Sequence, residues 1–485
     1  MNLCNINHSF NYELEKLCRL FLPFEKISIL QEVEPSDIYA VCTLGENKTS
    51  VSAELFTKEG SAVYKRNCED NSKSQELALA TCLYLCFCEL SGYTQPWGIL
   101  TGVRPIKLYH KLCDSIGEEK ARDYFKNTLL VSDSKIALCA DTMAPEFDII
   151  NRSQKNSFSL YISIPFCPTR CAYCSFVSHS VDKAGGLIKS YVPLLCEELR
   201  KTAKIVGKEG LFLQTVYIGG GTPVAISAEE IAEIMSAVKE NFDISNLSEY
   251  TVEAGRPDAI TRDKLLAIKN GGATRISINP QTMNDSVLRE IGRKHTASDT
   301  EEAFKLAREI GFDNINMDLI AGLPTDTFES FKSTVEKVIS MGPESITVHS
   351  LSMKRASNLT QDGRLPDKSD DYSASKMVAF AEKRLKEEKI LPYYLYRQSK
   401  TVGNLENVGY AKKGFEGLYN VYIMDETHTI IACGASAVTK LREPDSSNIE
   451  RIYNFKYPYE YIDRFEEIIN RKKGITEFFN KLKGV

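Results

Sequence analysis

The chain has no long apolar run and no strong excess of charge of either sign. Its most apolar stretch, LALATCLYLCFCEL at residues 77–90, has about two-thirds of the length of a membrane-spanning helix and carries a glutamate near its end. We therefore interpret this stretch as a buried helix and expect no membrane insertion. The net charge of −5 gives no sign of a nucleic-acid or anionic-membrane partner.

The start of the chain, MNLCNINHSFNYELEKL, also lacks the basic and then apolar layout of a secretion signal. We therefore expect a cytoplasmic protein, which means a reducing compartment. In such a compartment the 14 cysteines are expected as thiols or metal ligands and not as disulfides.

The length of 485 residues predicts two or three domains. Residues 1–155 combine short strand-like runs with the apolar helix and predict an N-terminal α+β domain whose role the pattern does not reveal. Residues 156–370 form the predicted core. Residues 371–485 begin with a basic helix and continue with two strand-like runs, LYNVYIM and HTIIACGASAVTKL. They predict a C-terminal α+β extension that closes the core and lines a substrate pocket.

Six β-rich runs alternate with helical patterns in the core. Alternation at this spacing is typical of βα units and a parallel sheet. Because successive right-handed crossovers curl such a sheet, the predicted fold class is α/β, either a full or partial (β/α) barrel or a doubly wound sheet. The predicted strands are 158–164, 215–220, 249–254, 274–279, 314–320 and 345–350.

Polar or glycine-rich residues follow the predicted strands. In a parallel barrel the carboxyl ends of the strands meet at one rim, where the chemistry takes place. Taken singly, glycines are equally compatible with a tight turn, a glutamate with an ion pair, an aspartate with a helix cap and a histidine with a structural role; their common rim favours a site. The residues at or just after the ends of the six predicted strands are, in order, Cys167, Cys171 and Cys174; Gly219–Pro223; Glu253; Gln281; Asp318; and His349.

Two groups of three cysteines call for opposite interpretations. Cys82, Cys86 and Cys88 lie within the apolar helix, which has no glycine or proline to fold a loop around a metal, so we predict core packing for them. The group of Cys167, Cys171 and Cys174 lies on a loop broken by a proline and is able to bind Zn²⁺ or an iron–sulfur cluster. A closed zinc site needs a fourth ligand, and no second Cys or His pair follows. Three ligands on a four-iron cluster leave one iron open, which indicates a reactive cluster.

With these residues assembled, the chain resembles the radical S-adenosylmethionine (radical SAM) enzymes, whose signature is a Cys-x3-Cys-x2-Cys loop after the first strand. LYISIPFCPTRCAYC, GGGTP, TVEAGRPD, INPQT, IGRKHT, MDLIAGLP and VHSLS resemble the oxygen-independent coproporphyrinogen III oxidases, also called coproporphyrinogen dehydrogenases. The flanking PWGILTGVRPIK, YYLYRQ, GNLENVGYAK and CGASAVTK resemble the HemZ branch of that family. The resemblance implies a partial (β/α)6 TIM-like radical SAM barrel.

The resemblance also implies cofactors and a reaction. Cys167, Cys171 and Cys174 would hold a [4Fe–4S] cluster whose open iron binds SAM. The reduced cluster would split SAM into methionine and a 5′-deoxyadenosyl radical. Removal of hydrogen from two propionates of coproporphyrinogen III, with loss of CO₂ from each, would give protoporphyrinogen IX in haem biosynthesis. An unactivated C–H bond needs a radical oxidant where oxygen is unavailable, so we expect anaerobic activity.

The family's SAM contacts match further positions of this sequence. Contacts to the SAM at the cluster match Tyr161, Gly220, Gly221, Thr222 and Glu253. Contacts that hold a second SAM in some members match Gln281, Arg293 and Asp318, and the remaining binding positions match Ser350 and Ala437 loosely. Phe176 departs from the pattern, since the better-known branch has a fourth, non-ligating cysteine there.

The implied substrate carries four carboxylates, so we expect cations in its pocket. Lys354 and Arg355 follow the sixth strand, and Arg397 lies among tyrosines. Arginine suits bidentate binding of carboxylates, and aromatic rings suit the face of a tetrapyrrole. A solvated basic surface is the alternative for each of the three. The resemblance further implies an electron donor such as flavodoxin or ferredoxin, and we expect a monomer.

Three other functions are compatible with the sequence. Some close relatives of the family keep the cluster and the SAM site but pass haem to other proteins, so a haem chaperone is one alternative. A radical SAM enzyme that acts on another tetrapyrrole, such as haem broken down by methylation and ring opening, is a second. RNA modification with the N-terminal domain as reader is a third, although the acidic balance and the lack of a clustered basic stripe count against it.

Overall fold

A computed structural model of the chain describes residues 1–176, 178–364, 366, 368–444, 446 and 448–483, with only the backbone at 368 and 369. The chain forms two compact units. One comprises Met1–Ala140 and Tyr396–Glu406, and the other comprises Asp141–Leu395 and Asn407–Val485. These units differ from the three predicted segments, because most of the predicted C-terminal extension belongs to the same unit as the predicted core.

The first unit is built on a five-stranded sheet with one long helix packed against three of its strands. The strands follow the order β2-β1-β3-β4-β5, with β1 parallel to its two neighbours and the other pairs antiparallel. The elements are β1 (Asn2–Ile6), α1 (Asn11–Phe21), β2 (Ser28–Leu30), β3 (Tyr39–Leu44), β4 (Ser50–Thr57), β5 (Gly60–Asn67), α2 (Ser72–Ser91), α3 (Pro105–Ile116), α4 (Glu118–Asp123) and α5 (Asp133–Asn151), whose last residues belong to the second unit.

Helix α2 confirms the interpretation of the apolar stretch. Asn71 caps its N-terminus by accepting from the Ser74 amide, and Gly92, with φ of 66°, ends it in the left-handed conformation. Cys82 and Cys86 have no exposed surface, and burial raises their pKa values to about 11 and about 12. The predicted core packing is thus confirmed for these two thiols, and Cys88 is partly buried. Within the described part of the chain, no helix is long and apolar enough to cross a membrane.

The second unit contains an eleven-stranded sheet and a two-stranded ladder. The large sheet has the order β14-β15-β13-β12-β11-β10-β9-β6-β16-β17-β18, and the ladder joins β7 to β8. The strands are β6 (Ser157–Ile164), β7 (Phe166–Cys167), β8 (His179–Ser180), β9 (Phe212–Gly220), β10 (Glu249–Gly255), β11 (Arg275–Ile278), β12 (Ile315–Ala321), β13 (Ser345–Ser350), β14 (Leu391–Arg397), β15 (Glu406–Ala411), β16 (Thr429–Cys433), β17 (Val438–Arg442) and β18 (Ile449–Tyr453).

Six adjacent strands of this sheet, from β6 through β9 to β13, run parallel and coincide with the six predicted strands. The α/β prediction is confirmed, and the barrel is partial because β16, and not β13, lies beside β6. The helices of this unit are α6 (Val181–Ala184), α7 (Ile188–Lys208), α8 (Ala228–Asn241), α9 (Arg262–Asn270), α10 (Asp285–Glu290), α11 (Ala297–Ile310), α12 (Phe328–Met341), α13 (Asn358–Gln361), α14 (Lys368–Glu387), α15 (Leu418–Asp425), α16 (Pro458–Asp463), α17 (Phe465–Arg471) and α18 (Lys473–Lys483).

One predicted strand is wrong: LYNVYIM folds as helix α15. Tyrosine, valine and isoleucine favour strands, and a helix buried on most of its surface lacks the polar face that would reveal its period. The start of α15 is held by the Glu249 carboxylate of β10, which accepts from the Leu418 amide at 2.6 Å. Negative charge at a helix N-terminus is favourable, and this partner is 169 residues distant in the chain, so no local pattern reveals it.

Candidate functional site

The three predicted ligand cysteines lie on the loop that follows β6. Cys167 belongs to β7, which pairs with β8, so the loop carrying Cys171 and Cys174 is closed by a short ladder. The amide of Cys174 donates to the Cys171 carbonyl at 3.1 Å, and the Ala172 amide donates to the Ile291 carbonyl at 2.9 Å. The loop is thereby fixed at the carboxyl rim of the partial barrel, as the strand order predicts.

The glycine turn after β9 lies directly against this loop. A Cβ at Gly221 would lie 2.6 Å from the Phe166 carbonyl oxygen and 2.9 Å from Cys167 Sγ. The Gly221 amide donates to the Ile164 carbonyl, the Thr222 amide donates to the Phe166 carbonyl, and Thr222 Oγ1 donates to Cys167 Sγ at 3.6 Å. The turn therefore needs glycine for the close approach of the cysteine loop, in addition to its predicted part in binding SAM.

The chemistry of the cysteine set fits an iron–sulfur cluster. Burial raises the pKa of Cys167, and it raises that of Cys174 to about 11, with the charges of Cys171 and Cys167 adding to the increase. Three thiols on one short loop are able to bind three different irons of one cluster. Across the described residues, no three His, Cys, Asp or Glu side chains converge closely enough to hold one metal ion. A four-iron cluster takes each thiolate on a different iron, so its ligands stand farther apart.

Glu253, at the end of β10, lies next to a stack of tyrosine rings. Tyr217 Oη donates to its carboxylate at 2.5 Å, and the Tyr217 ring stacks on Tyr419 of α15, with 4.4 Å between the centroids. Tyr161 stacks on both rings with centroids 6.2 Å away. Burial, helped by the charge of Asp318, raises the pKa of Glu253 to about 7 although the Tyr217 hydrogen bond opposes the shift. Its carboxyl group is therefore able to exchange a proton near neutral pH.

Gln281 and Asp318 meet on neighbouring strands of the same rim. The Gln281 amide donates to the Asp318 carbonyl at 2.9 Å, and the Asp318 carboxylate accepts from Asn316 Nδ2 at 2.7 Å and lies 3.9 Å from His349 Nε2. Gln281 has φ of 68°, an unusual conformation for a residue with a side chain that is typical of functional sites. Among the described residues, its buried Oε1 has no hydrogen-bond donor, so this oxygen is available to a ligand.

Arg293 lies beside the cysteine loop. Its guanidinium donates to the Asn279 carbonyl at 2.6 Å and to Tyr173 Oη at 3.2 Å. Burial by itself would lower the pKa of Arg293, but Tyr173 and Cys171 outweigh it and raise the pKa. The residue predicted to contact a second SAM is thus a buried cation next to Cys171, a predicted cluster ligand.

The structure adds two residues that the sequence analysis did not select. Tyr217 orients Glu253, and Arg256 donates to Cys171 Sγ at 3.5 Å. Arg256 lies within TVEAGRPD, just after β10, and Tyr217 lies in β9 two residues before GGGTP. Position at the rim was therefore the available signal for them.

The remaining predicted positions lie farther along the rim. The Ser350 amide donates to Asn407 Oδ1 at 3.1 Å. Ala437 lies buried between β16 and β17, where its carbonyl accepts from the Asn454 amide. The Lys354 carbonyl accepts from the Ser357 amide in the loop after β13, and the Arg355 side chain is exposed. For Lys354 and Arg355, contact with a substrate stays a prediction.

Arg397, the last residue of β14, belongs to the segment Tyr396–Glu406 of the first unit and has structural partners in that unit. Its guanidinium donates to the carbonyls of Leu100 at 2.5 Å, Gly102 at 3.5 Å and Asn404 at 3.2 Å, and it lies over the Trp97 ring. Burial lowers its pKa to about 10. These carbonyl contacts engage the guanidinium in holding the loop of Trp97–Arg104, a role that the prediction of a substrate carboxylate did not foresee.

Glu253→Gln should change how stability depends on pH. The pKa of Glu253 is about 7 in the fold against an ordinary value of 4.5, so between these pH values the folded protein binds the proton more tightly than the unfolded chain. The free energy of unfolding therefore falls by about 2–3 kcal/mol as the pH rises through this interval, and the variant should lack that fall. Urea unfolding at about pH 5 and about pH 8 measures the difference.

Glu233→Gln on the exposed side of α8 is the matched control. It removes the same charge from a solvated position, and we expect it to retain the pH dependence of the unmodified chain. If the Glu253→Gln chain loses as much stability between the two pH values as the control does, the raised pKa of Glu253 is refuted.

Comparisons with known proteins agree with this geometry. The model of the radical SAM superfamily matches residues 161–338, which include the cysteine loop and the strands that carry Glu253, Gln281 and Asp318. The oxygen-independent coproporphyrinogen-III oxidase-like protein HemZ of Bacillus subtilis is 40% identical over 396 residues, which cover 81% of this chain and 79% of that protein.

Two further similarities concern a relative with another name and a solved structure. The heme chaperone HemW of Bacillus subtilis is 36% identical over 211 residues, which are 43% of this chain and 54% of that protein. Coproporphyrinogen III oxidase (HemN) from Escherichia coli, described as a radical SAM enzyme, matches with a TM-score of 0.53 and 22% identity over 66% of this chain and 71% of that one. At this identity the structural match establishes the fold.

Proposed function

The chain belongs to the oxygen-independent coproporphyrinogen-III oxidase-like family of radical SAM proteins, and from this premise we propose that it converts coproporphyrinogen III to protoporphyrinogen IX. The family and its oxidase-named members support an oxidoreductase that uses an iron–sulfur cluster and SAM. The observation that carries the proposal is the common rim, where the cysteine loop lies with Glu253 and Gln281 in a chain that is 40% identical to HemZ.

The cofactors would be held by residues already in place. Cys167, Cys171 and Cys174 would hold the cluster, and the backbone of Gly221 and Thr222 would border the SAM. When bound, the reduced cluster and SAM supply a carbon-centred radical able to remove a hydrogen atom from an unactivated C–H bond. Gln281 presents an unpaired amide oxygen that suits a polar group of SAM or substrate.

The protein's own groups manage charge and protons around that chemistry. Glu253, with a pKa of about 7, is able to hold a proton or a positively charged amino group, and Tyr217 fixes one of its oxygens. The rings of Tyr161, Tyr217 and Tyr419 stack beside it and would limit the access of water. Exclusion of water protects a radical from side reactions.

The overall conversion is an oxidation with a fixed balance. Each of two propionate groups loses one hydrogen atom, one electron and CO₂, and a vinyl group remains. The hydrogen atom goes to the radical that the cofactors supply, and the electron goes to a one-electron acceptor. A one-electron donor such as flavodoxin or ferredoxin would reduce the cluster. We propose that the protein works as a cytoplasmic monomer on a tetrapyrrole, with Lys354 and Arg355 as candidate partners of the substrate carboxylates.

The test is an anaerobic assay of the reconstituted chain. The chain is loaded with iron and sulfide and given reductant, SAM and coproporphyrinogen III, and the products are followed by mass spectrometry. We expect stepwise loss of two CO₂ and a matching amount of cleaved SAM, and no reaction with the Cys171→Ala chain. Cleavage of SAM that leaves the porphyrinogen intact would refute the substrate and retain the cluster.

A haem chaperone is the second candidate, favoured by the 36% identity to HemW of Bacillus subtilis. It predicts that the loaded chain binds haem at one equivalent and releases it to an acceptor without altering the macrocycle. Haem absorbance and mass spectrometry separate this result from turnover of haem, which would instead indicate an enzyme acting on that tetrapyrrole.

A further inference from the structure

A buried ion pair lies directly behind the cysteine loop. Arg256, only 3% exposed, follows β10 and is gripped by Asp258 through two hydrogen bonds, from Nε to Oδ1 at 2.8 Å and from a terminal nitrogen to Oδ2 at 2.6 Å. Such a two-pronged contact fixes the plane of the guanidinium as well as its position. Arg256 is thus held rigidly on the side that faces away from the cysteine loop.

The remaining guanidinium hydrogens of Arg256 point at the cysteine loop. One terminal nitrogen donates to Cys171 Sγ at 3.5 Å and to the Thr169 carbonyl at 3.3 Å, and the other donates to Thr169 Oγ1 at 3.0 Å. The carbonyl oxygen and Oγ1 of Thr169 and the sulfur of Cys171 therefore all accept hydrogen bonds from the Arg256 side chain. Arg293 is a second cation close to Cys171, but Arg256 also binds both oxygens of Thr169.

The surroundings keep this arrangement in one protonation state. His295, also buried, places Nδ1 3.7 Å from Asp258 Oδ1, and burial lowers the pKa of this histidine. Asp258 remains an anion because the hydrogen bonds from Arg256 hold its pKa below the usual range in spite of burial. The pair is thus neutral as a whole, with its positive end directed at Cys171.

We propose that Arg256, oriented by Asp258, is the positioning residue of the cluster loop: it fixes Thr169 and Cys171 for the cluster and makes the cluster easier to reduce. A hydrogen bond from a cation stabilises a thiolate, and it stabilises the more negative, reduced cluster more than the oxidised one. The inference rests on the cluster of the proposed function and is independent of the substrate.

The test compares variants at Arg256 with a matched arginine elsewhere. Arg256→Gln removes the charge, Arg256→Lys keeps the charge but loses the fork, and Arg262→Gln removes an exposed arginine that pairs with Glu309 on the outer helices. Each full-length chain is reconstituted anaerobically without porphyrinogen. Three quantities are measured: iron and sulfide per chain, the rate of iron release to a chelator, and the midpoint potential by EPR-monitored titration.

We expect Arg256→Gln to release iron about tenfold faster than the unmodified chain, which is the usual effect of removing an outer partner of a metal ligand, and to have a more negative midpoint potential. Arg256→Lys should release iron faster with a smaller shift in potential, and Arg262→Gln should match the unmodified chain. If both Arg256 variants keep the release rate and the potential of the unmodified chain, the proposal is overturned. If Arg256→Gln does not fold, the iron release rate and the midpoint potential of Arg256→Lys decide whether the proposal holds. Because porphyrinogen is absent, these outcomes do not depend on the proposed reaction.

Discussion

Replacing Cys167, Cys171 or Cys174 with alanine should abolish cluster binding, and replacing Cys88 should not. A reconstituted four-iron cluster contributes about four irons per chain, and we expect each of the three loop variants to retain almost none in stable form. The loop supplies only three thiolates for four irons. Loss of one thiolate would leave a second iron without a protein ligand. SAM cleavage should fall to background in the same variants. Iron analysis and the absorbance of the cluster measure the effect.

Cys88→Ala is the control that makes this result specific. Cys88 lies in α2 of the first unit, where its neighbours Cys82 and Cys86 are buried in the core. Its replacement should leave iron content and SAM cleavage unchanged while the fold persists. Retention of a full cluster by Cys171→Ala, or equal loss of iron from Cys88→Ala, would mean that the loop is not the ligand set.

The parts of the fold that the sequence reveals are those with a local signal. The six parallel strands of the core are apolar runs at regular spacing, and they lie within a few residues of their predicted positions. The capped helices between them carry equally local cues, such as Ser227 with Glu230 and Thr296 with Asp299. Local patterns of this kind are sufficient for the α/β class and for the rim on which the candidate site lies.

The parts that the sequence conceals depend on partners distant in the chain. Helix α15 takes its start from Glu249, and β16 joins the barrel sheet beside β6 although it lies near the C-terminal end. The segment Tyr396–Glu406 packs into the first unit, whose other residues are far from it in the sequence. None of these contacts leaves a periodic pattern, because each is made by a few residues of two separated stretches.

The candidate site also contains residues that the sequence reveals and residues that only the fold reveals. The cysteine loop, Glu253, Gln281 and Asp318 were predictable from their place after a strand, and the resemblance assigned roles to them. Arg256 also follows a strand, but its place alone assigned no role to it, because an arginine in a polar turn has the composition of an ordinary surface loop. Its importance arises from the burial of its side chain against Cys171 and Asp258, which is a property of the fold.

Glu406→Gln should destabilise the first unit by about 3–5 kcal/mol, the usual cost of leaving a buried charge without its partner. The carboxylate of Glu406 accepts from Lys135 Nζ at 2.5 Å and from Trp97 Nε1 at 2.8 Å, and both charged side chains are almost fully buried. Burial alone would raise the pKa of Glu406, but the charge of Lys135 and these two hydrogen bonds lower it. Glutamine keeps the shape and a bond to Trp97, and it removes only the negative charge.

The fluorescence of Trp97, which donates to Glu406, allows the stability of the first unit to be measured separately. It is the only tryptophan of the sequence, so its fluorescence during urea unfolding reports on the network itself. The double variant Lys135→Met with Glu406→Gln removes both charges and keeps an acceptor for Trp97, and it should recover most of the loss because a buried ion pair is worth little more than neutral groups of similar size. If the single variant unfolds at the same urea concentration as the unmodified chain, the pair is solvated in solution. If instead the double variant is as unstable as the single one, the unpaired charge of Lys135 is not the source of the loss, and the electrostatic explanation is refuted.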